Sequence, residues 1–213
     1  MTAPAPALGA AGLIEALRPV PLLPVLRLSS AEEAVALSAR LVGAGLRVLE
    51  LTATTPGWDE AVRAVRAEHP DAVVGVGTVT TAADAERALA AGARFLVSPW
   101  PAPHVRPVAA AAGAAFLEGG CTPAEVADAV SRGPAKVFPA HLGGPAYVRS
   151  LLAVLPGAHL VPTGGVRLED VPQWLAAGAV AVGIGSDLTA PGDVGERVRE
   201  LLARTRGAGD GRA

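Results

Sequence analysis

Short apolar runs of about five residues recur along this chain, each followed by an Ala-rich stretch of ten or more with helical spacing, and the pair repeats eight times. That alternation leaves little choice of architecture. A parallel strand must be re-entered by a crossover long enough to hold a helix, so the pattern reads as an α/β fold built on a parallel sheet. The strands are expected at Leu22–Arg27, Arg47–Leu51, Ala72–Gly77, Arg94–Ser98, Ala114–Glu118, Ala135–Pro139, His159–Pro162 and Ala179–Ile184. The helices are expected near 31–43, 58–68, 81–91, 103–112, 123–132, 145–154, 169–177 and 193–205. Ser29 and Ser30 can cap the first of these, Thr81 the third, and Thr122-Pro123 opens the fifth with proline at a position that needs no amide proton. Gly43, Gly45, Gly92, Gly113, Gly133 and Gly178 fall where helices should stop.

Eight such units in 213 residues match a compact (β/α)8 TIM barrel, with a doubly wound open sheet as the competitor. No Gly-x-Gly-x-x-Gly follows the first strand, which favours the barrel. The expected barrel spans residues 8–206, with tails at 1–7 and 207–213 that are polar or rich in Gly and Pro. A hydrophobic content of 51% supplies the core, yet Gly, Pro or charge interrupts every apolar run before the roughly 20 residues a spanning helix needs. The first residues carry no basic region ahead of an apolar core, so a signal peptide is not expected and a cytoplasmic location is. A net charge of −2 without a basic face argues against nucleic acid. One cysteine, Cys121, excludes an internal disulfide, and His69, His104, His141 and His159 are too scattered for metal-ligand spacing. Neither a metal nor a cofactor is expected, and the natural partner is a small molecule.

Lys136 is the one lysine among 18 basic residues. Charge alone does not account for it, since arginine serves everywhere else. A lysine can lose its proton and attack a carbonyl as a free amine, and burial in the apolar run Ala135-Lys136-Val137-Phe138 would favour that form. The structural alternative is a wall lysine that reaches solvent or pairs with a carboxylate. In a barrel, chemistry gathers at the C-terminal ends of the strands. Those ends carry Arg27, Glu50 with Thr52, Thr78, Ser98-Pro99, Glu118, Lys136, Thr163-Gly164-Gly165 and Gly185-Ser186. Glu50, between Leu49 and Leu51, lies in an apolar wall where desolvation raises a carboxyl toward the range useful for proton transfer, or else it forms a structural ion pair. The last two loops fall where barrels build phosphate sites from backbone amides. The hydroxyls of Thr163 and Ser186 can add donors there.

Six segments, Val48-Leu49-Glu50-Leu51-Thr52, Gly75-Val76-Gly77-Thr78-Val79, Val97-Ser98-Pro99, Lys136-Val137-Phe138-Pro139-Ala140, Pro162-Thr163-Gly164-Gly165-Val166 and Gly183-Ile184-Gly185-Ser186, resemble the signature stretches of the class I 2-keto-3-deoxy-6-phosphogluconate aldolases, in that family's order. The resemblance implies a TIM barrel, usually a homotrimer, that cleaves a phosphorylated keto-acid substrate to pyruvate and glyceraldehyde 3-phosphate. It also implies roles: Lys136 as the Schiff-base lysine, Glu50 as the acid/base, Thr78 at the pyruvyl carboxylate, and Pro99, Thr163, Gly164, Gly165, Gly185 and Ser186 at the substrate and its phosphate. Many gluconate-type members have arginine four residues after the strand-two glutamate, where this chain has Thr54. The related 2-keto-3-deoxy-6-phosphogalactonate aldolases instead have an arginine at the end of strand one, which here is Arg27. A guanidinium there can clamp a carboxylate bidentately. Trp100 stands where Gly is frequent and would narrow the rim; Glu118 stands where Pro is frequent, and His141 where Glu or Ser is common. A 4-hydroxy-2-oxoglutarate aldolase, a phosphate-binding barrel isomerase and a sugar-phosphate sensor are the other readings. The last two gain nothing from a buried lysine on the sixth strand.

Overall fold

In the computed structural model, which describes residues 7–190 and 192–209, eight parallel strands stand side by side with helices outside them. They are β1 (Leu22–Leu26), β2 (Val48–Thr52), β3 (Val73–Gly77), β4 (Phe95–Val97), β5 (Ala115–Gly120), β6 (Ala135–Val137), β7 (Leu160–Pro162) and β8 (Val182–Ile184). Neighbours in sequence are neighbours in space, β8 pairs back onto β1, and a bridge between Thr163 and Gly183 joins β7 to β8. The sheet thereby curls into a barrel, because no strand pair is left to be an edge.

Nine helices accompany these strands among the described residues. Eight were expected: α2 (Ala31–Gly43), α3 (Trp58–Glu68), α4 (Ala82–Ala90), α5 (Arg106–Ala111), α6 (Pro123–Val130), α7 (Gly144–Val154), α8 (Val171–Ala176) and α9 (Val194–Gly209). Their starts follow local chemistry. Ser30 accepts from the Glu33 amide, Thr81 accepts from the Asp84 amide, and Thr122 with Glu125 forms a reciprocal capping box ahead of Pro123. Helix α9 runs to Gly209, into the segment expected as a C-terminal tail; residues 1–6 and 210–213 of the two expected tails lie outside the described residues.

The unexpected helix is α1 (Ala10–Leu17), ahead of the first strand. Its Leu13 and Leu17 are fully buried in a cluster with Leu23, Val48, Val73, Phe95, Val97, Leu117 and Val161. These strand residues alternate with Leu22, Leu49, Val74, Leu96 and Leu160, which belong to the larger core shared with the outer helices. With a side-chain period of two, the first set faces the barrel axis and the second faces out. Helix α1 therefore closes the N-terminal end of the barrel. The chain before it is stitched to β4 and β5: the Leu8 amide donates to the Arg94 carbonyl at 2.8 Å, and the Ala115 amide donates to the Leu8 carbonyl at 2.6 Å. Each buried leucine contributes about 1.5–3 kcal/mol by leaving water. A sealed base leaves the C-terminal end as the open one.

Candidate active site

The inward parity of β2 and β6 brings Glu50 and Lys136 together from positions 86 residues apart. Lys136 Nζ donates to Glu50 Oε1 at 3.4 Å, and both side chains are buried. Room for the carboxylate comes from β3, where any side chain at Gly77 would collide with Glu50 Oε1; Gly75, one inward position below, lies under the Phe95 ring. Burial pushes the Glu50 carboxyl above the ordinary carboxylate range. The ammonium of Lys136 and, more distantly, Arg27 pull it partly back. Glu50 Oε2 has no hydrogen-bond partner among the described residues, leaving a buried polar oxygen beside the amine. On its other side Lys136 Nζ stands 5.6 Å from the centre of the Phe138 ring.

Above this pair opens a cavity of about 300 Å³. Arg27, Thr78, Pro99, Lys136, Thr163, Gly164, Gly165, Gly185 and Ser186 all line it, so nine of the ten residues given a catalytic or substrate-binding role from the sequence reach the same space, all but Glu50. Glu50 lies beneath it, fully buried, and reaches it through Lys136. Val25, Leu26, Phe138, Leu188 and Thr189 complete the wall and were not anticipated. Phe138 follows from Lys136 by strand parity. Leu188 and Thr189 belong to a one-turn helix, Ser186–Thr189, whose presence the sequence signals only by Gly185.

At one side of the cavity Arg27 donates to the hydroxyls of Thr54 and, at 3.1 Å, Thr78. Thr54 thus supports the guanidinium. Behind it the Thr52 hydroxyl, fully buried, donates to the Leu26 carbonyl at 3.1 Å, while Thr55 accepts from the Leu28 amide at 3.1 Å. The backbone on both sides of Arg27 is thereby tied to the end of β2. Thr78 has φ +60°, a left-handed conformation that a β-branched residue adopts at a cost of about 1–3 kcal/mol and that concentrates at functional sites.

The two glycine loops follow β7 and β8, and Gly185 lies next to β1, whose end carries Arg27. Gly164 and Gly165 have φ +96° and +70°, and a side chain on them would run into Phe138 and His141 respectively, so both position and conformation call for glycine. His141 Nδ1 lies 3.4 Å from the Gly164 carbonyl and backs this loop. The cavity is therefore lined by the Arg27 guanidinium, by hydroxyls and by glycine backbone, with Lys136 in its wall and Glu50 behind it.

Among the strand-end residues, Thr52, Ser98 and Glu118 do not line the cavity. Glu118 lies within β5, two residues short of its end, and points outward: it accepts from the Ala102 amide at 2.7 Å, from Arg106 Nε at 2.9 Å and from Arg132 at 2.8 Å. It pins α5 and α6 to the barrel wall. Trp100 is 55% exposed and is not among the residues lining the cavity. No group of three His, Cys, Asp or Glu among the described residues is placed to hold a metal ion, and no helix among them is long and apolar enough to cross a membrane.

Comparison with known proteins agrees with this geometry. The family model described as "Aldolase: KDPG and KHG aldolase" matches residues 13–197. A 2-dehydro-3-deoxy-phosphogluconate aldolase of Treponema pallidum is 36% identical over 77% of this chain and 80% of its own length. A 2-dehydro-3-deoxy-6-phosphogalactonate aldolase of Escherichia coli is 31% identical over 86% of this chain and 92% of its own. Among solved structures, the 2-keto-3-deoxy-6-phosphogluconate aldolase of Zymomonas mobilis with 3-phosphoglycerate superposes with a TM-score of 0.82 at 30% identity, over 92% of this chain and 97% of that one.

Proposed function

Because this chain belongs to the KDPG and KHG aldolase family, we propose that it is a metal-independent Schiff-base aldolase cleaving a 2-keto-3-deoxy-6-phospho sugar acid to pyruvate and glyceraldehyde 3-phosphate. The observation that carries this reading is the buried contact of Lys136 with Glu50, at a cavity lined by Arg27 and by the two glycine loops. Lys136, as the free amine, adds to the C2 ketone, and water leaves as the protonated imine forms. The imine is the electron sink. As the C3–C4 bond breaks, its electron pair flows toward nitrogen to give an enamine, and the C4 hydroxyl gives its proton to the Glu50 carboxylate while the aldehyde departs. Glu50 then returns a proton toward C3, and water releases pyruvate from Lys136. Holding the substrate by both ends keeps C3 and C4 over this pair.

Arg27 is the carboxylate clamp in this scheme, presented by Thr54 and Thr78. Removing it with Arg27→Ala is expected to raise KM by about ten- to hundredfold, the scale of hydrogen bonds to a charged group. Thr54→Ala leaves the guanidinium in place and should cost far less. An Arg27→Ala enzyme with wild-type kcat/KM would remove the clamp assignment.

Relatives of both gluconate and galactonate type match the chain at similar identity. We therefore expect turnover of both 6-phosphorylated C4 epimers, with kcat/KM values within about a hundredfold, the range one modest pocket contact provides. The test is a parallel assay on the two epimers with pyruvate release as the readout. A larger ratio would mark a dedicated enzyme for one of them, and no turnover of either would overturn the substrate class.

A further inference from the structure

The two glycine loops follow neighbouring strands, β7 and β8, which the bridge between Thr163 and Gly183 joins at the loop bases, so beyond that bridge their spacing rests on contacts between the loops. One carboxylate joins them. Asp187, immediately after Ser186 in the loop that follows β8, accepts at Oδ2 from the Leu168 amide at 2.9 Å, and Leu168 lies three residues beyond Gly165 in the loop that follows β7. The same oxygen accepts from Arg197 on α9 at 2.7 Å, while the other terminal nitrogen of Arg197 donates to the Asp187 carbonyl at 2.9 Å. Arg197 therefore grips Asp187 by side chain and backbone together, and both side chains are largely shielded. Neither residue lines the cavity.

We propose that Asp187, held by Arg197, is a positioning residue that sets the spacing of the Gly164-Gly165 and Gly185-Ser186 loops and hence selects for the phosphorylated end of the substrate; this rests on the aldolase reading above. The contact acts directly on the two loops. Lys136, Glu50 and Arg27 are tied to β6, β2 and β1 by contacts that do not involve α9. Chemistry at C2 and binding of the keto-acid carboxylate should be indifferent to the clamp, whereas a dianion held by two loops should feel any change in their separation. A charge-assisted pair with two hydrogen bonds in fixed geometry is the kind of contact that holds such a spacing.

The test compares a phosphorylated and an unphosphorylated ligand in the same variants. Arg197→Ala is expected to raise KM for the 6-phosphorylated keto acid about tenfold or more, the scale of one charge-assisted hydrogen bond, with kcat within about twofold. Half-saturation for borohydride trapping of pyruvate, which has no phosphate, should stay at the wild-type value. Arg197→Lys, which keeps a cation opposite Asp187 but not the two-pronged grip, should fall between. Asp187→Asn, which retains an acceptor for the Leu168 amide while losing the ion pair, provides the reading if Arg197→Ala does not fold. Equal losses for both ligands would show a general structural role and overturn the proposal, as would a KM that none of the variants moves. Failure of the wild-type protein to trap pyruvate would instead bring down the aldolase reading, so the two failures are separable.

Discussion

Lys136→Arg is expected to abolish turnover, a loss of at least about 10⁴-fold, because it keeps the positive charge beside Glu50 and removes the one group able to form an imine. An arginine cannot give up its proton in a protein, so the nucleophile is lost without loss of charge. The same substitution should end covalent labelling: borohydride with pyruvate adds one pyruvyl unit to the wild-type protein, at residue 136, and none to the variant. Intact mass followed by peptide mapping reads this directly. Turnover that survives the substitution, or that disappears when divalent metal is chelated, would place the protein in another reaction class.

Glu50→Gln is expected to lower kcat by about 10²–10⁴-fold while leaving pyruvate trapping at Lys136 in large part intact, since it preserves the shape beneath the amine but removes the titrating proton. Its pH dependence separates this role from a merely structural one. Burial raises the Glu50 carboxyl above its ordinary value of 4.5, so the folded protein holds a proton there that the unfolded chain has already released. Stability contributed by this group is fully present below the unfolded value and is lost as pH rises through the higher folded one. Thermal melts should therefore show the wild-type protein losing stability relative to Glu50→Gln as pH climbs from about 4.5. The acid limb of the wild-type kcat/KM profile should sit above the ordinary carboxylate range, because the scheme needs the ionised form to accept the C4 proton. A variant that melts far below wild type at every pH, with trapping and turnover lost together, would show that Glu50 serves the fold and not the chemistry.

Much of this site was legible before any coordinates. The alternation of apolar runs with helical stretches dictates parallel strands and crossovers, because a parallel neighbour cannot be reached by a tight turn. Chemistry collects at strand ends, and a lone buried lysine among arginines marks itself. Nine of the ten residues given a catalytic or substrate-binding role reach one cavity, and the tenth, Glu50, lies beneath it in contact with Lys136.

What the sequence could not decide was the direction in which a side chain points when glycine blurs a strand's end. The expected strand stops at Glu118, which put that residue at a strand terminus among the candidate groups. In the barrel Gly119 and Gly120 continue β5, and with Ala115 and Leu117 facing the axis the alternation turns Glu118 outward to Arg106 and Arg132. Helix α1 was equally silent. Its leucines are buried only because eight strands leave an open apolar base, a surface that does not exist until the barrel closes. Composition, period and residue type are local and are written in the chain. Which hydroxyl steadies Arg27, which carboxylate couples two loops and which face of a strand looks inward depend on contacts between residues far apart in sequence, and those are decided when the barrel assembles.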